Sequence, residues 1–444
     1  MNIDRYRERR ARVLQAMADR GGGVAIQFTA PERIRNRDSE YPYRFDSSFW
    51  YLTGFGEPES AVVLVAHGGR REALLFCREK HEEREIWDGF RYGPELAQAA
   101  FGFDAAHSIE RMDEVVPELI ADAPALFYAL GASEALDGRV HAWLQKVRSQ
   151  SRTGRRAPAS ALDLTAIVDE MRLVKDAAEL ETMRRAARIS ASAHARAMQR
   201  CRPGMREFEM EAELLHEFRR HGAQSPAYTS IVAAGPNACV LHYAAGHAEA
   251  RDGDLVLIDA ACEVDGYASD ITRTFPANGR FTGEQRAVYD VVLAAQLAAI
   301  ENVRPGVDVN AAHEAATRVL TQGLIDLGLL SGSLDGALES KSFRQFFMHK
   351  TGHWLGLDVH DVGDYREPGA AVQGEERPWR VLAPGMVTTV EPGLYIRPAP
   401  NVDERFHHIG IRIEDDVAVT ASGCEVLSID APKASGEIEA LMRS

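Results

Sequence analysis

The residues best suited to chemistry lie in the second half of the chain. In Asp254-Leu-Val-Leu-Ile-Asp259-Ala-Ala-Cys-Glu-Val-Asp265-Gly266-Tyr-Ala-Ser-Asp270-Ile-Thr272-Arg-Thr-Phe275, two strand-like runs flank Asp265-Gly266, a favoured two-residue hairpin turn. That turn pairs Val264 with Tyr267, and counting back sets Asp259 opposite Thr272. Side chains alternate with period two, so Asp270 becomes a diagonal neighbour of Asp259 on one face, with Cβ atoms roughly 7–8 Å apart. Two carboxylates aimed at one space repel each other and lose water, and a divalent cation between them resolves both problems. A three-residue turn would reverse the parity and leave two ordinary surface acids. Asp259 weakens that alternative, because it ends the apolar run Leu255 to Ile258, where an acid needs a partner.

Two further acids stand in comparable settings. Glu391 lies inside the apolar run Thr388-Thr389-Val390-Glu391-Pro392-Gly393-Leu394-Tyr395-Ile396. Gly410-Ile411-Arg412-Ile413-Glu414-Asp415-Asp416 alternates, which puts Arg412 and Glu414 on one face. Arg412 beside a metal carboxylate would anchor it, and an exposed Arg–Glu pair is the plain alternative. Between these segments, His349-Lys-Thr-Gly-His353-Trp-Leu-Gly-Leu-Asp-Val-His360 holds three histidines and two glycines. Three imidazoles among apolar residues, beside separate acids, suit metal ligation and proton transfer. One imidazole with four carboxylates is a hard, oxygen-rich set. It fits a pair of Mn²⁺, Co²⁺, Fe²⁺ or Zn²⁺ ions better than a thiolate-type structural zinc site.

The elements that must position these groups alternate between helix and strand. Residues 4–19 predict a helix stopped by Gly21-Gly22-Gly23, followed by a strand from Val24 to Phe28. Ala61 to Val65 and Ala73 to Phe76 predict strands; Pro117 to Ile120 and Val140 to Val147 predict helices. The first part is therefore an α/β domain. Ser149 to Ser160, with Arg152, Arg155 and Arg156, predicts a solvated loop. The boundary is expected near Met171 to Lys175, giving domains 1–171 and 172–444. Long helices are expected at Ala177 to Gln199, Glu207 to His221, Glu284 to Asn302 and Ala311 to Leu327, mixed with β-type runs. No internal repeat is visible in the sequence.

Composition narrows the partners. A net charge of −15 disfavours nucleic acid and anionic membranes, which need a basic face. The five cysteines are scattered and odd in number, which favours reduced thiols and a cytoplasmic location. The start, Met1 to Arg10, is too charged for a signal peptide, and no apolar run approaches the ~20 residues of a membrane span.

These segments resemble the pita-bread metallopeptidases, a family that includes Xaa-Pro aminopeptidases, prolidases and methionine aminopeptidases. Tyr267 to Pro276 and Thr389 to Ile396 are specific matches. Asp38-Ser-Glu-Tyr-Pro-Tyr-Arg44 and Phe49-Trp-Tyr-Leu-Thr-Gly-Phe55 are similar to the aminopeptidase P branch. The resemblance covers nearly the whole chain. It implies an α/β (α+β) architecture, with a creatinase-like N-terminal α/β domain serving oligomerisation and substrate access, then a pita-bread catalytic domain. It implies two divalent ions per subunit, manganese foremost, held by Asp259, Asp270, His353, Glu391 and Glu414. Asp270 and Glu414 bridge them, and a metal-bridging hydroxide attacks the peptide. Glu391 is the implied proton shuttle. His242 and His360 are implied to contact substrate or the developing oxyanion, with His349, Tyr395 and Arg412 also in the pocket. Asp38 and Trp87 are implied substrate contacts from the N-terminal domain; Trp87 lies in Arg84 to Gly93, whose charged and Gly-rich composition suits an exposed loop rather than a core. The substrates are peptides with proline at the second position, and the assembly is a homotetramer or dimer. A prolidase restricted to dipeptides and a non-enzymatic binding protein are the competing readings. The chain departs from the family pattern at Ala261 and Ser269, where glycines are expected, and in the long stretch from Asp364 to Arg380.

Overall fold

A computed structural model describes residues 3–372 and 376–444, and the chain forms two compact units, Met1–Arg172 and Leu173–Ser444. In the first, the helix Ile3–Asp19 and the strand Gly23–Phe28 fall where the periodicity and the glycine stop place them. Gly22 has a φ of +81°, and a Cβ there would lie 2.3 Å from the Ala66 carbonyl oxygen, so the stop needs glycine twice over. The strand Gly23–Phe28 runs antiparallel to Ala61–Ala66 and parallel to Ala125–Phe127 inside a six-stranded mixed sheet. Val24, Ile26, Val63, Phe76 and Trp143 share its core.

One feature of this unit differs from the sequence reading. The stretch Ser149 to Ser160 is mostly exposed, but it holds a 3-10 turn, Ser151–Thr153, and feeds an edge strand, Ser160–Leu162, that pairs with Ala125–Phe127. Arg10, one of the charges of the leading helix, is buried. It donates to Leu52 O (3.0 Å), Phe101 O (3.0 Å) and Gly102 O (2.7 Å), satisfying carbonyls at the ends of Ser47–Thr53 and Gly93–Phe101. Burial lowers its guanidinium to about 10.

The second unit uses one order of elements twice. The packed helices Ala177–Arg200 and Glu207–Arg220 precede a three-stranded sheet of Ile231–Ala234, Leu255–Asp259 and Thr272–Pro276. The packed helices Gly283–Ile300 and Ala311–Asp326 precede a second sheet of Val387–Val390, Asp415–Val419 and Cys424–Val426, with the strand pair Gly393–Ile396 and Ile409–Arg412. Val256, Ile258, Phe275, Val292, Leu320 and Ile411 belong to one continuous core. The helix starts obey local chemistry: Asp176 and Thr282 each form a capping box.

The hairpin has the expected register. Val264 pairs with Tyr267 and Asp259 with Thr272. Asp265 and Gly266 have φ of +50° and +84°, positive at both central positions as a type I′ turn requires. Among the described residues no helix is long and apolar enough to cross a membrane. Residues 373–375 of the long stretch lie outside the described residues. Within the rest, Arg366 bridges to Trp379 and places its guanidinium 3.4 Å from the indole centroid.

Candidate active site

The hairpin and the two strand breaks of the second unit open on one cleft of about 640 Å³. Asp259 ends one strand; Asp270 lies just before Thr272–Pro276 begins. Glu391 sits in the gap between Val387–Val390 and Gly393–Ile396, and Glu414 in the gap between Ile409–Arg412 and Asp415–Val419. Asp270, Glu391 and Glu414 lie just outside their strands and Asp259 is the last residue of its strand, so all four acids sit at strand ends that face the cleft. The segment carrying His353 is drawn against them by close backbone approach. A Cβ at Gly352 would lie 2.1 Å from Thr389 O, and one at Gly356 would lie 2.2 Å from Asp361 Oδ2. Thr389 N–H donates to His353 O (2.9 Å) and Glu391 N–H to Thr351 O (2.7 Å), so this segment and the Glu391 strand fix each other.

Asp270, His353 and Glu414 offer ligand atoms within 4.8 Å of one another. His353 Nδ1 bonds the Trp354 carbonyl at 2.9 Å, and Nε2 lies 3.3 Å from Asp270 Oδ2. A carbonyl can only accept, so Nδ1 carries a proton and Nε2 is the nitrogen that could ligate a metal. Asp259 and Glu391 line the same cleft. Arg412 is committed to it: it donates to Asp259 Oδ2 (2.6 Å), Thr272 Oγ1 (3.1 Å) and Tyr395 Oη (3.0 Å). The expected shared face of Arg412 and Glu414 holds, since Thr272 Oγ1 also donates to Glu414 Oε2 at 2.7 Å.

Charge is out of balance here. Four carboxylates face one guanidinium and one imidazole. Burial raises the Asp259 carboxyl and pushes Glu391 to about 7; burial and then Asp270 hold Glu414 well above the usual range. Burial alone would lower His353, but Asp270 and Glu391 outweigh it and raise the ring to about 9. A buried site that must hold protons to tolerate its own acids is chemically suited to multivalent cations with oxygen and imidazole ligands.

The other expected residues divide. His349 Nδ1 bonds Lys350 O (2.6 Å), so its Nε2 accepts from Tyr395 Oη at 2.9 Å; burial and then Arg412 lower this imidazole to about 4. His242 and His360 line the exposed side of the cleft, with the His360 ring 4.3 Å from that of His353. Trp87 and Asp38 lie in the first unit. Trp87 is on a short helix, Glu82–Asp88, rather than a loop, and is 85% exposed. Asp38 is exposed at the tip of the hairpin Ile34–Asn36 and Ser39–Glu40. Of the two departures, Ser269 turns its hydroxyl to Ser190 Oγ (2.7 Å) and Cys262 O (3.3 Å), and Ala261 is fully buried.

The pattern of metallopeptidase family M24 matches residues 181–421, and that of the aminopeptidase P N-terminal domain matches residues 6–128. The chain belongs to metallopeptidase family M24. It is 45% identical over 438 residues to the Xaa-Pro aminopeptidase of Escherichia coli, covering 98% of this chain and 97% of that protein. Xaa-Pro aminopeptidase 3 of Homo sapiens is 33% identical over 424 residues, 94% of this chain and 80% of that protein. Among solved structures, aminopeptidase PepP of Pseudomonas aeruginosa superposes with a TM-score of 0.95 at 50% identity, covering 100% of this chain and 98% of that one. A zinc-substituted Escherichia coli aminopeptidase P in complex with product gives 0.94 at 44% identity, with the same coverage. The fold is thus that of the aminopeptidase P structures, an N-terminal domain followed by an M24 catalytic domain.

Several residues of the site escaped the sequence reading. Tyr228 Oη lies 2.6 Å from both Asp259 Oδ1 and Asp270 Oδ1, joining the two acids from a third segment. Asp416 accepts the Asp270 N–H at 3.0 Å. Behind the cleft, Arg273 is fully buried and donates to Asp415 Oδ1 (2.7 Å), Glu414 O (2.5 Å) and Thr272 O (2.9 Å). Lys175 Nζ and Asp361 Oδ2 form a buried ion pair at 2.9 Å beside His360. Tyr365, from the long stretch, lines the cleft and accepts the Trp354 N–H at 2.9 Å. Only Arg273 carried a signal: a cation between Thr272 and Thr274, in a strand whose other face meets the cleft, must be buried with a partner.

The raised acids and the raised imidazole give a pH prediction. At pH 7 the metal-free folded chain holds a proton on His353 and, in part, on Glu391, with Glu414 pushed in the same direction, and cations must displace such protons. Metal uptake at pH 7 is expected to release protons, read as a dependence of calorimetric binding enthalpy on buffer ionisation enthalpy. Affinity weakens as pH falls. The same groups bind more protons folded than unfolded, so their contribution to metal-free stability is lost as pH rises from the ordinary carboxyl range through about 9. A binding enthalpy independent of buffer would refute this charge assignment.

Proposed function

We propose that the chain is a metal-dependent aminopeptidase that hydrolyses the Xaa-Pro bond at peptide N-termini. The observation that carries this reading is the convergence of Asp270, His353 and Glu414, with Asp259 and Glu391, in a cleft rimmed by His242 and His360. Full-length likeness to Xaa-Pro aminopeptidases supports the substrate class. Asp259, Asp270, His353, Glu391 and Glu414 would hold two divalent cations, of which manganese suits the oxygen-rich set and zinc, cobalt or iron are the alternatives. When bound, the cations supply Lewis acidity to the scissile carbonyl and lower the pKa of a water.

The chain's own groups do the rest. Glu391 accepts the proton of the attacking water and delivers it to the prolyl nitrogen, a tertiary amide nitrogen that must be protonated to leave. His242 and His360 donate hydrogen bonds to the substrate carbonyl as charge develops on it. Ile231, Leu241 and Tyr228 give the cleft an apolar wall for the proline ring. The hydrogen-bonded series Arg412, Tyr395, His349 holds that side of the pocket in one geometry. The five cysteines are unpaired, in keeping with a cytoplasmic enzyme.

An aminopeptidase turns over an Xaa-Pro-Xaa tripeptide readily, whereas a prolidase prefers the Xaa-Pro dipeptide. Comparison of kcat/KM on the two peptides is expected to favour the tripeptide. Preference for the dipeptide would replace this reading with prolidase, and turnover of neither would favour a binding protein.

The subunits assemble as a homotetramer or dimer in this reading. The exposed Trp87 indole of one subunit then covers the substrate proline of another, excluding water at low entropy cost, with Asp38 beside the peptide. Trp87→Ala is expected to lower kcat/KM while metal content and thermal stability stay near wild type. Mixed oligomers of Trp87→Ala and Asp270→Ala chains should regain activity. Confirmed subunit exchange without rescue would contradict the shared site.

A further inference from the structure

His242 makes no hydrogen bond through its ring to another described residue, so the ring can only be as well placed as the backbone that carries it. That backbone, from Ala234 to Gly246, has little regular structure after the 3-10 turn Gly235–Cys239. What fixes it is a single buried carboxylate. Glu207, the first residue of the helix Glu207–Arg220, is fully buried. Its Oε1 accepts from Ala234 N–H (2.9 Å) and Asn237 Nδ2 (2.9 Å). Its Oε2 accepts from Tyr243 Oη (2.9 Å) and Gly246 N–H (3.1 Å). Two donors precede His242 in the chain and two follow it.

The surroundings leave the loop little freedom. Glu207 N–H donates to Ala248 O (3.0 Å) and Phe208 N–H to Gly246 O (3.2 Å), tying the far end of the loop to the same helix start. A Cβ at Gly246 would lie 3.1 Å from Tyr243 Oη and 3.3 Å from Glu207 Oε2, so the turn closes tightly on the carboxylate. On the opposite side, Arg397 Nη2 donates to Cys239 O at 2.7 Å, and a Cβ at Gly410 would come within 2.3 Å of Ala238 O. The loop is held by the helix on one hand and the strand pair on the other, with Leu241, His242, Tyr243 and Ala244 lining the cleft. Charge-assisted bonds to a buried carboxylate are roughly twice as strong as neutral ones, and a buried acid that lost its donors would be costly. Each of the four bonds therefore helps to hold the loop on the carboxylate.

We infer that Glu207 is a positioning residue for the reaction: its carboxylate, saturated by four donors on both sides of His242, sets where that imidazole meets the substrate. This rests on the role proposed above for His242. Glu207→Gln keeps the volume but turns an N–H₂ towards two donors, which displaces the loop without emptying the core. A displacement of about 1 Å at a substrate contact costs up to ~10²-fold in rate.

The test is a double-mutant cycle on a proline-containing tripeptide, with metal content and thermal midpoint measured for every variant. Glu207→Gln is expected to lower kcat/KM by roughly 10- to 100-fold with metal content unchanged. In a His242→Ala background the same substitution is expected to cause little further loss. Asn237→Ala, which removes one donor and keeps the acid, should give a smaller loss that also vanishes in that background. It serves as the deciding pair if Glu207→Gln does not fold. Equal losses in both backgrounds would overturn the inference and leave the role of His242 standing. A His242→Ala chain with wild-type kcat/KM would overturn both.

Discussion

Four carboxylates converge in one buried space with too few cations to balance them. Asp259, Asp270, Glu391 and Glu414 share the cleft with Arg412 and His353, and three of the four acids are pushed above their ordinary pKa. Such a cluster costs free energy unless something answers the charge. The surrounding structure answers part of it. Arg412 pairs with Asp259, Tyr228 joins Asp259 to Asp270, and Thr272 donates to Glu414. What those contacts leave over is negative charge that divalent cations could answer, and the proposed chemistry rests on them.

Holding mutually repelling acids in place requires a rigid frame behind them. Arg273 pins Asp415, Glu414 O and Thr272 O together from the side away from the cleft, so both acid-bearing sheets share one buried guanidinium. Lys433 adds a second cation to Asp415 at 2.6 Å. Burial raises the Asp415 carboxyl, but Arg273 and Lys433 outweigh it and keep it below the usual range. Removing one partner of such a buried pair typically costs 3–5 kcal/mol. The close approach of Gly352 to Thr389 O brings the His353 segment into the same frame. The two sheets contribute equally, with two acids from each side of the second unit. That symmetry of roles is invisible in the sequence because no stretch repeats.

How much could be read from the residues follows from whether neighbours in space are also neighbours along the chain. The Asp259–Asp270 relation was legible because a two-residue turn and strand alternation fix it locally, and the observed register agrees. The long helices were legible from composition. Tyr228 was not, because nothing in Ala227-Tyr228-Thr229 distinguishes a tyrosine that bridges two acids from one that fills a core. Glu207 read as an ordinary helix-start acid; its four donors come from a segment with no periodicity. The Lys175–Asp361 pair joins residues far apart in the chain. Trp87 was rightly placed on the surface, although on a helix rather than a loop.

Central to the proposed function is a cation site in which Asp270 would be a shared, indispensable ligand. Metal analysis of purified wild-type and Asp270→Ala chains, alongside thermal unfolding and tripeptide turnover, tests it most directly. Two divalent ions are expected per wild-type chain. Asp270→Ala is expected to lose bound metal and turnover while still unfolding cooperatively, because both cores are untouched. An Asp270→Ala chain that keeps two ions and full turnover would contradict it.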